Sequence, residues 1–268
     1  MLRTRVMTAL CIAAVLIPSI FLLERQAWAM VTGLITGLAG WEFGRLSRFS
    51  RTAQWGLGGL VTGLTTGAAL LLPAATLDQW GRVAMICSAI FWLALVPFWL
   101  RARWQDVAKW KMLLVGLVVL LPTWYALLDL RERSPAWLFG ALLLVALADI
   151  AAYFFGRAFG RRKLAPNISP GKTWEGAWGA MATVTTLALV LQATLLGADA
   201  ARLLLLAVGM PVLTLVSIAG DLFESMLKRQ VGLKDSSQLL PGHGGVLDRI
   251  DSHTAALPLL ALLLGYLA

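Results

Sequence analysis

The sequence predicts an all-α fold, a polytopic integral membrane protein with about nine transmembrane helices. Three observations predict this class. Of the 268 residues, 59% are apolar and only 14% are charged, which is little charge for a soluble domain. Nine apolar runs approach the roughly 20 residues that a helix needs to cross a bilayer. The Lys and Arg residues also alternate from loop to loop, as the positive-inside rule requires.

Each predicted span is a mostly apolar run between charged or turn-forming residues. In chain order the predicted spans are Val6–Leu23, Ala27–Phe43, Trp55–Leu77, Val83–Leu100, Met112–Leu128, Pro135–Phe155, Gly176–Leu196, Leu203–Leu222 and Ser252–Ala268. The second and the last are short for a span. The first has the basic start and the Ala27-Trp28-Ala29 triplet of a signal peptide. Because its apolar run is longer than a typical signal core, we expect an uncleaved helix.

The basic residues predict orientation rather than nucleic-acid binding. The net charge of +9 is dispersed among the spans, and no soluble domain is left to carry a nucleic-acid groove. When successive loops are assigned to alternate sides, 18 of the 23 Lys and Arg residues fall on one side and 5 on the other. The positive-inside rule then places the amino terminus in the cytoplasm and the carboxyl terminus outside. We therefore expect a multi-pass protein of the cell inner (cytoplasmic) membrane.

Two loops on the basic side are more than connectors. They run from Gly156 to Trp174 and from about Leu227 to Asp251, and both are rich in residues that favour turns. The first 130 residues contain no comparable loop. We therefore predict a single membrane domain, residues 1–268, in which residues 1–134 are scaffold helices. Residues 135–268 would hold the catalytic helices and the cytoplasmic loops.

Acidic residues stand out in the apolar carboxyl-terminal half. An acid near the bilayer centre costs about 2.5–3.5 kcal/mol on insertion scales, so it should have a partner or a function. Asp149 lies eight residues before Arg157, and Asp221 lies seven residues before Lys228, and these two basic residues mark the cytoplasmic boundary of their helices. Asp248 and Asp251 begin the last helix, on the same side. We expect these four acids to meet at one level of the membrane, with an active site that faces the cytoplasm.

Helical spacing favours a divalent-cation site in this region. The residues that share one face of the eighth span are Asp221, Glu224, Ser225 and Lys228. Asp248 and Asp251 share a face of the last helix. Paired carboxylates on two helices suit Mg²⁺, which prefers oxygen ligands, and nearby Lys and Arg would hold phosphate oxygens. The alternative is that the acids only pair with neighbouring basic residues to bring charge into lipid. Glu42 either joins the cluster or pairs with Arg45.

The second loop has a glycine-rich core, Leu240-Pro241-Gly242-His243-Gly244-Gly245. Successive backbone N–H groups in such a loop can form a concavity that binds an anion. The loop leads directly into Asp248-Arg249-Ile250-Asp251 at a helix start, which makes the pattern more specific. His243 could act as a base, donate to a phosphate or only occupy a turn.

The segment from Ser225 to Asp251, SMLKRQVGLKDSSQLLPGHGGVLDRID, resembles the signature of the phosphatidate cytidylyltransferase family. Every fixed position of that signature is matched. Leu164–Gly176 (LAPNISPGKTWEG) resembles the family's upstream cytoplasmic loop, and Asp149–Gly160 (DIAAYFFGRAFG) resembles the helix before it. Ile150 departs from the family, in which many members carry Ser or Thr at that place. The specific resemblance covers roughly residues 140–268.

The resemblance implies a reaction, a cofactor and partners. The phosphate of phosphatidate would attack the α-phosphorus of CTP, giving CDP-diacylglycerol and pyrophosphate. It implies Mg²⁺, with a monovalent cation such as K⁺ possible beside it, and a homodimer in the lipid bilayer. The implied catalytic residues are Asp221, Asp248 and Lys172, and the implied metal ligands are Asp221, Asp248 and Asp251. The implied substrate-binding residues are Ser169, Ser225, Lys228, Arg229, Lys234, Asp235, His243, Gly244, Gly245 and Arg249.

Two other functions remain open at this point. A related enzyme could use another lipid phosphate, such as that of an unsaturated ether lipid or a polyprenyl chain. A secondary transporter is the alternative of a different class. Transporters often have two matching halves with a site at the membrane midplane. Here the polar groups lie in one half and near one face, which favours the enzyme.

Overall fold

The computed structural model describes residues 2–267, so Met1 and the predicted end of the last span at Ala268 lie outside it. Within that range the chain forms nine helical segments. Seven are plain helices: α1 (Leu2–Leu22), α2 (Arg25–Leu46), α3 (Arg51–Leu71), α6 (Lys109–Arg133), α7 (Pro135–Phe159), α9 (Ala200–Gln230) and α10 (Leu247–Leu267). In the eighth, α4 (Ala74–Ile90) continues through a π-helical turn (Phe91–Leu95) into α5 (Val96–Ala102). In the ninth, α8 (Trp174–Leu191) is extended by a π-helical turn (Gln192–Leu196). Each segment contains most of one predicted span, which confirms the all-α polytopic fold.

The predicted boundary between the third and fourth spans was wrong. The third span was expected to run to Leu77, but α3 ends at Leu71 and the next helix begins at Ala74. Pro73 lies between them, directly before α4. Proline has no backbone N–H and cannot continue a helix, whereas it suits the start of one. The apolar residues after Pro73 therefore belong to α4.

Six of the described segments are long and apolar enough to cross a membrane. They are α1, the continuous α4–α5 segment, α6, α7, α8 with its π-helical extension, and α9. Of the other three, α2 and α10 pack among them, whereas α3 keeps an outer face on which Leu60 and Leu64 are exposed. Ala255, Ala256 and Ala261 of α10 are completely buried, as are Thr36 and Ala39 of α2. Helices that lie inside a bundle meet protein rather than lipid, so they do not need a long apolar surface.

Small residues allow α2 and α3 to approach closely. A side-chain carbon on Gly37 would lie 1.9 Å from Thr62 Oγ1, and one on Gly44 would lie 3.0 Å from the Cα of Gln54. Glycine at these positions lets the two backbones come together, which is a common way of packing helices in lipid. On the outer face of α3, by contrast, a carbon on Gly59 would meet nothing within 4 Å.

The bundle has two chemically different ends. At one end, called here the loop end, α2 and α9 finish and α10 begins. Thr8 Oγ1 at the start of α1 donates to the carbonyl oxygen of Pro241 at 2.9 Å there, and Arg45 Nη1 donates to Ser236 O at 2.7 Å. At the opposite end, called the far end, Arg131 Nε of α6 donates to Ile20 O at 2.8 Å. The loops that the charge pattern assigned to one side thus meet at one end.

The first turn-rich loop contains a two-stranded antiparallel sheet that was not predicted. Strand β1 (Lys163–Ala165) pairs with β2 (Ser169–Thr173), with Lys163 opposite Thr173. The Pro and Gly within β2 favour turns, so the sequence gives little indication of a strand. Thr173 ends β2 and also begins α8, because its hydroxyl accepts the backbone N–H of Gly176 at 3.2 Å. This cap fixes the hairpin to the helix that follows it.

Candidate active site

A cavity of about 570 Å³ lies at the loop end, between α7, β2, α8, α9 and α10. Its walls come from the carboxyl-terminal half of the chain. Eight of the predicted site residues line it, namely Ser169, Lys172, Asp221, Lys228, Asp235, Asp248, Arg249 and Asp251. The two turn-rich loops and four helices therefore contribute to a single polar space.

Carboxylates reach this cavity from three helices. Asp149 comes from α7, Asp221 from α9, and Asp248 and Asp251 from the first turns of α10. These are the four acids that we expected to meet, and they do line one cavity. Asp149 was expected at this level but was not among the implied metal ligands or substrate-binding residues.

Lys172 joins the hairpin to α9. Its ammonium nitrogen lies 2.6 Å from Asp221 Oδ2, and both side chains are about one quarter exposed. The other oxygen of Asp221, Oδ1, accepts the hydroxyl of Ser225 at 3.1 Å. Because Lys172 directly precedes Thr173, the cap on α8 also fixes the strand residue that reaches Asp221. This hydrogen bond confirms the prediction that Asp221 and Ser225 share one helix face.

Lys228 lies between two nearly buried carboxylates. Its Nζ is 2.5 Å from Glu224 Oε2 and 2.7 Å from Asp248 Oδ1. The side chains of Lys228, Glu224 and Asp248 are only 12%, 5% and 4% exposed. Taking charges out of solvent is costly, so each member of such a group depends on the others. Lys228 thereby links the middle of the α9 motif to the start of α10.

Asp248 is the most firmly held acid of the cavity. Its Oδ2 accepts the backbone N–H of Ser236 at 2.9 Å and that of Gly245 at 2.7 Å, and it lies 2.9 Å from Ser236 Oγ. Its Oδ1 accepts from Lys228. The second turn-rich loop is therefore folded around this carboxylate.

Glu42 approaches the same loop from α2, and both expectations for it were wrong. The side chain is completely buried and does not line the cavity. Its Oε1 accepts from Ser237 Oγ at 2.5 Å and from Val246 N at 3.0 Å, and its Oε2 accepts from Leu247 N at 2.6 Å. A carboxylate is favoured there, because the first N–H groups of a helix have no partner within it. In the described structure Arg45 donates to the loop instead.

The glycines of the loop make room for these carboxylates. A side-chain carbon on Gly245 would lie 2.3 Å from Glu42 Oε1, and one on Gly244 would lie 2.6 Å from Asp248 Oδ2. Gly244 also has φ of +86°, which side-chain-bearing residues rarely adopt. The Gly-Gly pair is thus needed for the chain's own acids. Substrate binding by Gly244 and Gly245 remains a prediction.

Six predicted site residues lie outside the cavity wall in the described structure. They are Ser225, Arg229, Lys234, His243, Gly244 and Gly245. Arg229 and Lys234 are exposed at the loop end. His243 is half-buried, and its backbone N–H donates to Leu240 O at 2.8 Å, which closes a turn. The three possible roles of its ring stay open.

Two further residues line the cavity that sequence reasoning did not select. Tyr153 and Arg157 lie on α7, and Arg157 Nη1 donates to the Tyr153 hydroxyl at 3.3 Å. Together with Asp149 they recur every four residues, which places all three on one helix face. That spacing was the available signal, but Arg157 had been interpreted only as the end of a span.

The donor set of the cavity fits a hard cation. Within residues 2–267, no three His, Cys, Asp or Glu side chains already form a group that could hold a metal ion. Mg²⁺ does not need one, since it usually keeps several waters and binds through one or two carboxylates together with substrate phosphates. Asp149, Asp221 and Asp251 all line the cavity and carry carboxylate oxygens. The residues present therefore suit Mg²⁺ that is bound jointly with a phosphate ligand.

Known proteins resemble this chain over nearly its whole length. A relative from Pseudomonas aeruginosa, named phosphatidate cytidylyltransferase, is 41% identical over 269 residues and is covered to 97%, with 98% of this chain matched. Relatives of the same name from Haemophilus influenzae and Brucella melitensis are 36% and 39% identical over 96% and 83% of this chain, and are themselves covered to 96% and 78%. The model of the cytidylyltransferase family matches residues 3–267. This match extends well beyond the signature segment, and the chain belongs to the cytidylyltransferase family.

Proposed function

We propose that this protein transfers the cytidylyl group of CTP to phosphatidate, in phospholipid biosynthesis. A phosphate oxygen of phosphatidate forms a bond to the α-phosphorus of CTP. The bond from that phosphorus to the bridging oxygen breaks, and pyrophosphate leaves with the electron pair. CDP-diacylglycerol remains in the membrane. One observation carries the proposal: in a chain of this family, three acids and two cations of the signature line one cavity at one end of a membrane bundle, namely Asp235, Asp248, Asp251, Lys228 and Arg249.

The basic residues of the cavity would bind phosphate groups. Lys172, Lys228, Arg249 and Arg157 all line it, and each can donate charge-assisted hydrogen bonds to phosphate oxygens. Two phosphate-bearing substrates bring several negative charges into one space, so fixed cations there would lower the energy of the transition state. Ser169 would add a neutral donor from the hairpin. Lys172 and Lys228 would also hold Asp221 and Asp248 in place until the substrates arrive.

We propose Mg²⁺ as the cofactor, with a monovalent cation such as K⁺ beside it. Asp221, Asp248 and Asp251 are the proposed metal ligands, and Asp149 presents a further carboxylate to the same cavity. When bound, Mg²⁺ supplies Lewis-acid stabilisation of phosphate oxygens. The protein's own contribution is to fix these carboxylates, which the network around Asp248 favours.

We propose that the loop end faces the cytoplasm, in the cell inner membrane. The positive-inside rule supports this orientation, because most Lys and Arg residues fall on that side. CTP would then reach the cavity from the cytoplasm. The lipid would approach through the membrane along α7, where Tyr153 and Phe154 are exposed and Tyr153 also lines the cavity. Aromatic side chains suit the boundary between lipid and water.

A homodimer remains part of the proposal. The outer face of α3 offers a surface on which a second copy could pack closely, since a side-chain carbon on Gly59, Gly63 or Gly67 would meet nothing within 4 Å. Light scattering of the purified protein, corrected for detergent, would give the mass of the complex. A protein mass near 29 kDa would argue against the dimer.

The function is tested with purified protein, labelled CTP, phosphatidate and Mg²⁺. We expect labelled CDP-diacylglycerol and pyrophosphate in equal amounts, and loss of both on chelation. Asp248→Asn should abolish turnover. Asp106→Asn is the matched control, because Asp106 is an exposed acid that pairs with Arg48 outside the cavity. Asn also tolerates the positive φ of +52° found at Asp106.

The same assay separates the alternatives. If the folded wild type is inert with phosphatidate but converts an ether-lipid or polyprenyl phosphate, the lipid assignment fails and the reaction type stands. If no lipid phosphate yields a cytidylyl product, the proposed activity fails.

A further inference from the structure

The buried Glu42 lies far from the cavity residues in sequence but directly under their loop. We infer that Glu42 is a positioning residue, which fixes the start of α10 so that Asp248 faces the cavity. The inference rests on the proposed function for its catalytic consequence. Its structural part, the placement of residues 236–248, does not depend on which substrate is used.

Hydrogen-bond donors from the second turn-rich loop and from α10 surround Glu42. Its carboxylate accepts from the backbone N–H groups of Val246 and Leu247 and from the hydroxyl of Ser237. Leu247 is the first residue of α10. Glu42 therefore caps this helix from another helix about 200 residues away in the chain. Such a cap fixes both the direction of α10 and the path of the loop that enters it.

Glu42 is linked to Asp248 through Ser236. Ser236 Oγ lies 3.2 Å from Glu42 Oε2 and 2.9 Å from Asp248 Oδ2, so one hydroxyl lies between the two carboxylates. The backbone N–H of Ser236 also donates to Asp248, and its carbonyl oxygen accepts from Arg45. A displaced Glu42 carboxylate would thus release the residue that holds Asp248. Groups that orient a ligand in this way often affect activity without touching the substrate.

The buried charge of Glu42 is not explained by an ion pair. In the described part of the chain, no Lys, Arg or His forms an ion pair with Glu42. An unpaired buried carboxylate is costly, and here only N–H and O–H dipoles and the helix terminus offset that cost. The space it needs also excludes a side chain at Gly245. A helix that only packed in a scaffold would be better served by an apolar residue.

The test compares Glu42→Gln with Thr36→Val. Gln keeps the size of Glu42 but replaces one acceptor oxygen with an NH₂ group, which cannot accept hydrogen bonds from Ser237, Val246 and Leu247. Thr36 is the matched control because it lies on the same helix, is completely buried and bonds only to Thr32 O and Gly33 O of its own helix. For Glu42→Gln we expect kcat to fall about tenfold to a hundredfold, with KM for CTP and phosphatidate little changed. Thr36→Val should keep the wild-type kcat.

Two further measurements separate positioning from stability. Hydrogen–deuterium exchange should become faster in residues 236–248 of Glu42→Gln, while α3 and α6 exchange as in the wild type. The double variant Glu42→Gln with Ser236→Ala should lose less activity than the product of the two single losses, because both act through Asp248. A lower thermal midpoint with unchanged kcat and unchanged exchange in residues 236–248 would overturn the inference. An inert wild type would overturn the proposed reaction, and the exchange pattern would still decide the positioning role.

Discussion

Charged side chains are arranged differently at the far end and at the loop end of the bundle. At the far end, charges form simple pairs, and one of them lies near solvent: Arg25 is 2.5 Å from Glu132, with side chains 46% and 38% exposed. Arg133 pairs with Asp129 one turn earlier on its own helix. At the loop end, Lys228, Glu224 and Asp248 form one nearly buried group. There the carboxylates of Glu42, Glu224 and Asp248 accept hydrogen bonds from α9, from the second turn-rich loop and from the start of α10.

This difference indicates which charges have a function. A pair near solvent has a small desolvation cost and needs no explanation beyond local structure. A buried group is often no more stabilising than apolar residues of the same size would be. Ionisable groups that nevertheless occur at membrane depth usually have a function. The following predictions test this distinction by making similar changes at the two ends.

The largest effect is expected from an acid of the cavity. Asp221→Asn should lower turnover by at least about a hundredfold, because it removes a charge aimed at the reacting phosphates and their cation. Asp129→Asn removes an acid of the far end and should leave turnover unchanged. Both are measured as product formed per folded enzyme. Equal activity of the two variants would contradict a functional difference between the ends.

The next effect concerns stability at the loop end. Lys228→Met leaves Glu224 and Asp248 facing each other without a cation, which should cost about 3 kcal/mol of unfolding free energy. Unfolding by titration with SDS in mixed micelles would measure it. The double change Lys228→Met with Glu224→Gln should recover part of the loss, since one uncompensated charge is gone. No recovery would show that Lys228 does not stabilise the fold through Glu224.

Much of this architecture could be predicted from the sequence. The spans are readable because lipid offers the backbone no hydrogen-bond partners, so long apolar runs must be helices. The face shared by Asp221 and Ser225 follows from helical spacing alone, and their hydrogen bond confirms it. The meeting of Asp149 with Asp221 and Asp251 followed from equal depth in the membrane, which the charge pattern of the loops defines.

Other features depend on contacts that no local pattern contains. Glu42 caps a helix that begins 205 residues later, and nothing near it in the sequence indicates that partner. The hairpin pairs Lys163 with Thr173 although Pro and Gly lie inside β2. Gly245 resembles a phosphate-binding residue in sequence, yet here its missing side chain leaves room for Glu42. In each case tertiary packing decides a question that residue type leaves open.

A smaller effect is expected from glycines in the two kinds of environment. Gly245→Ala would force a carbon against Glu42 and Ser236 and should cost about 1–3 kcal/mol. Gly63→Ala lies in open space on a helix and should stabilise it by about 0.5–1 kcal/mol. SDS titration measures both. A loss of stability for Gly63→Ala that grows with protein concentration would instead show that a second copy packs on α3.

The smallest effect is expected at the far end. Glu132→Gln breaks the pair with Arg25 and should change the unfolding free energy by less than about 1 kcal/mol, because both groups are well solvated with or without each other. Any remaining difference from the wild type should shrink as salt is added, since mobile ions screen exposed pairs. Turnover should be unchanged. A loss similar to that of Lys228→Met, insensitive to salt, would mean that the far-end pair is also shielded from water, and exposure would then no longer separate the structural charges from the functional ones.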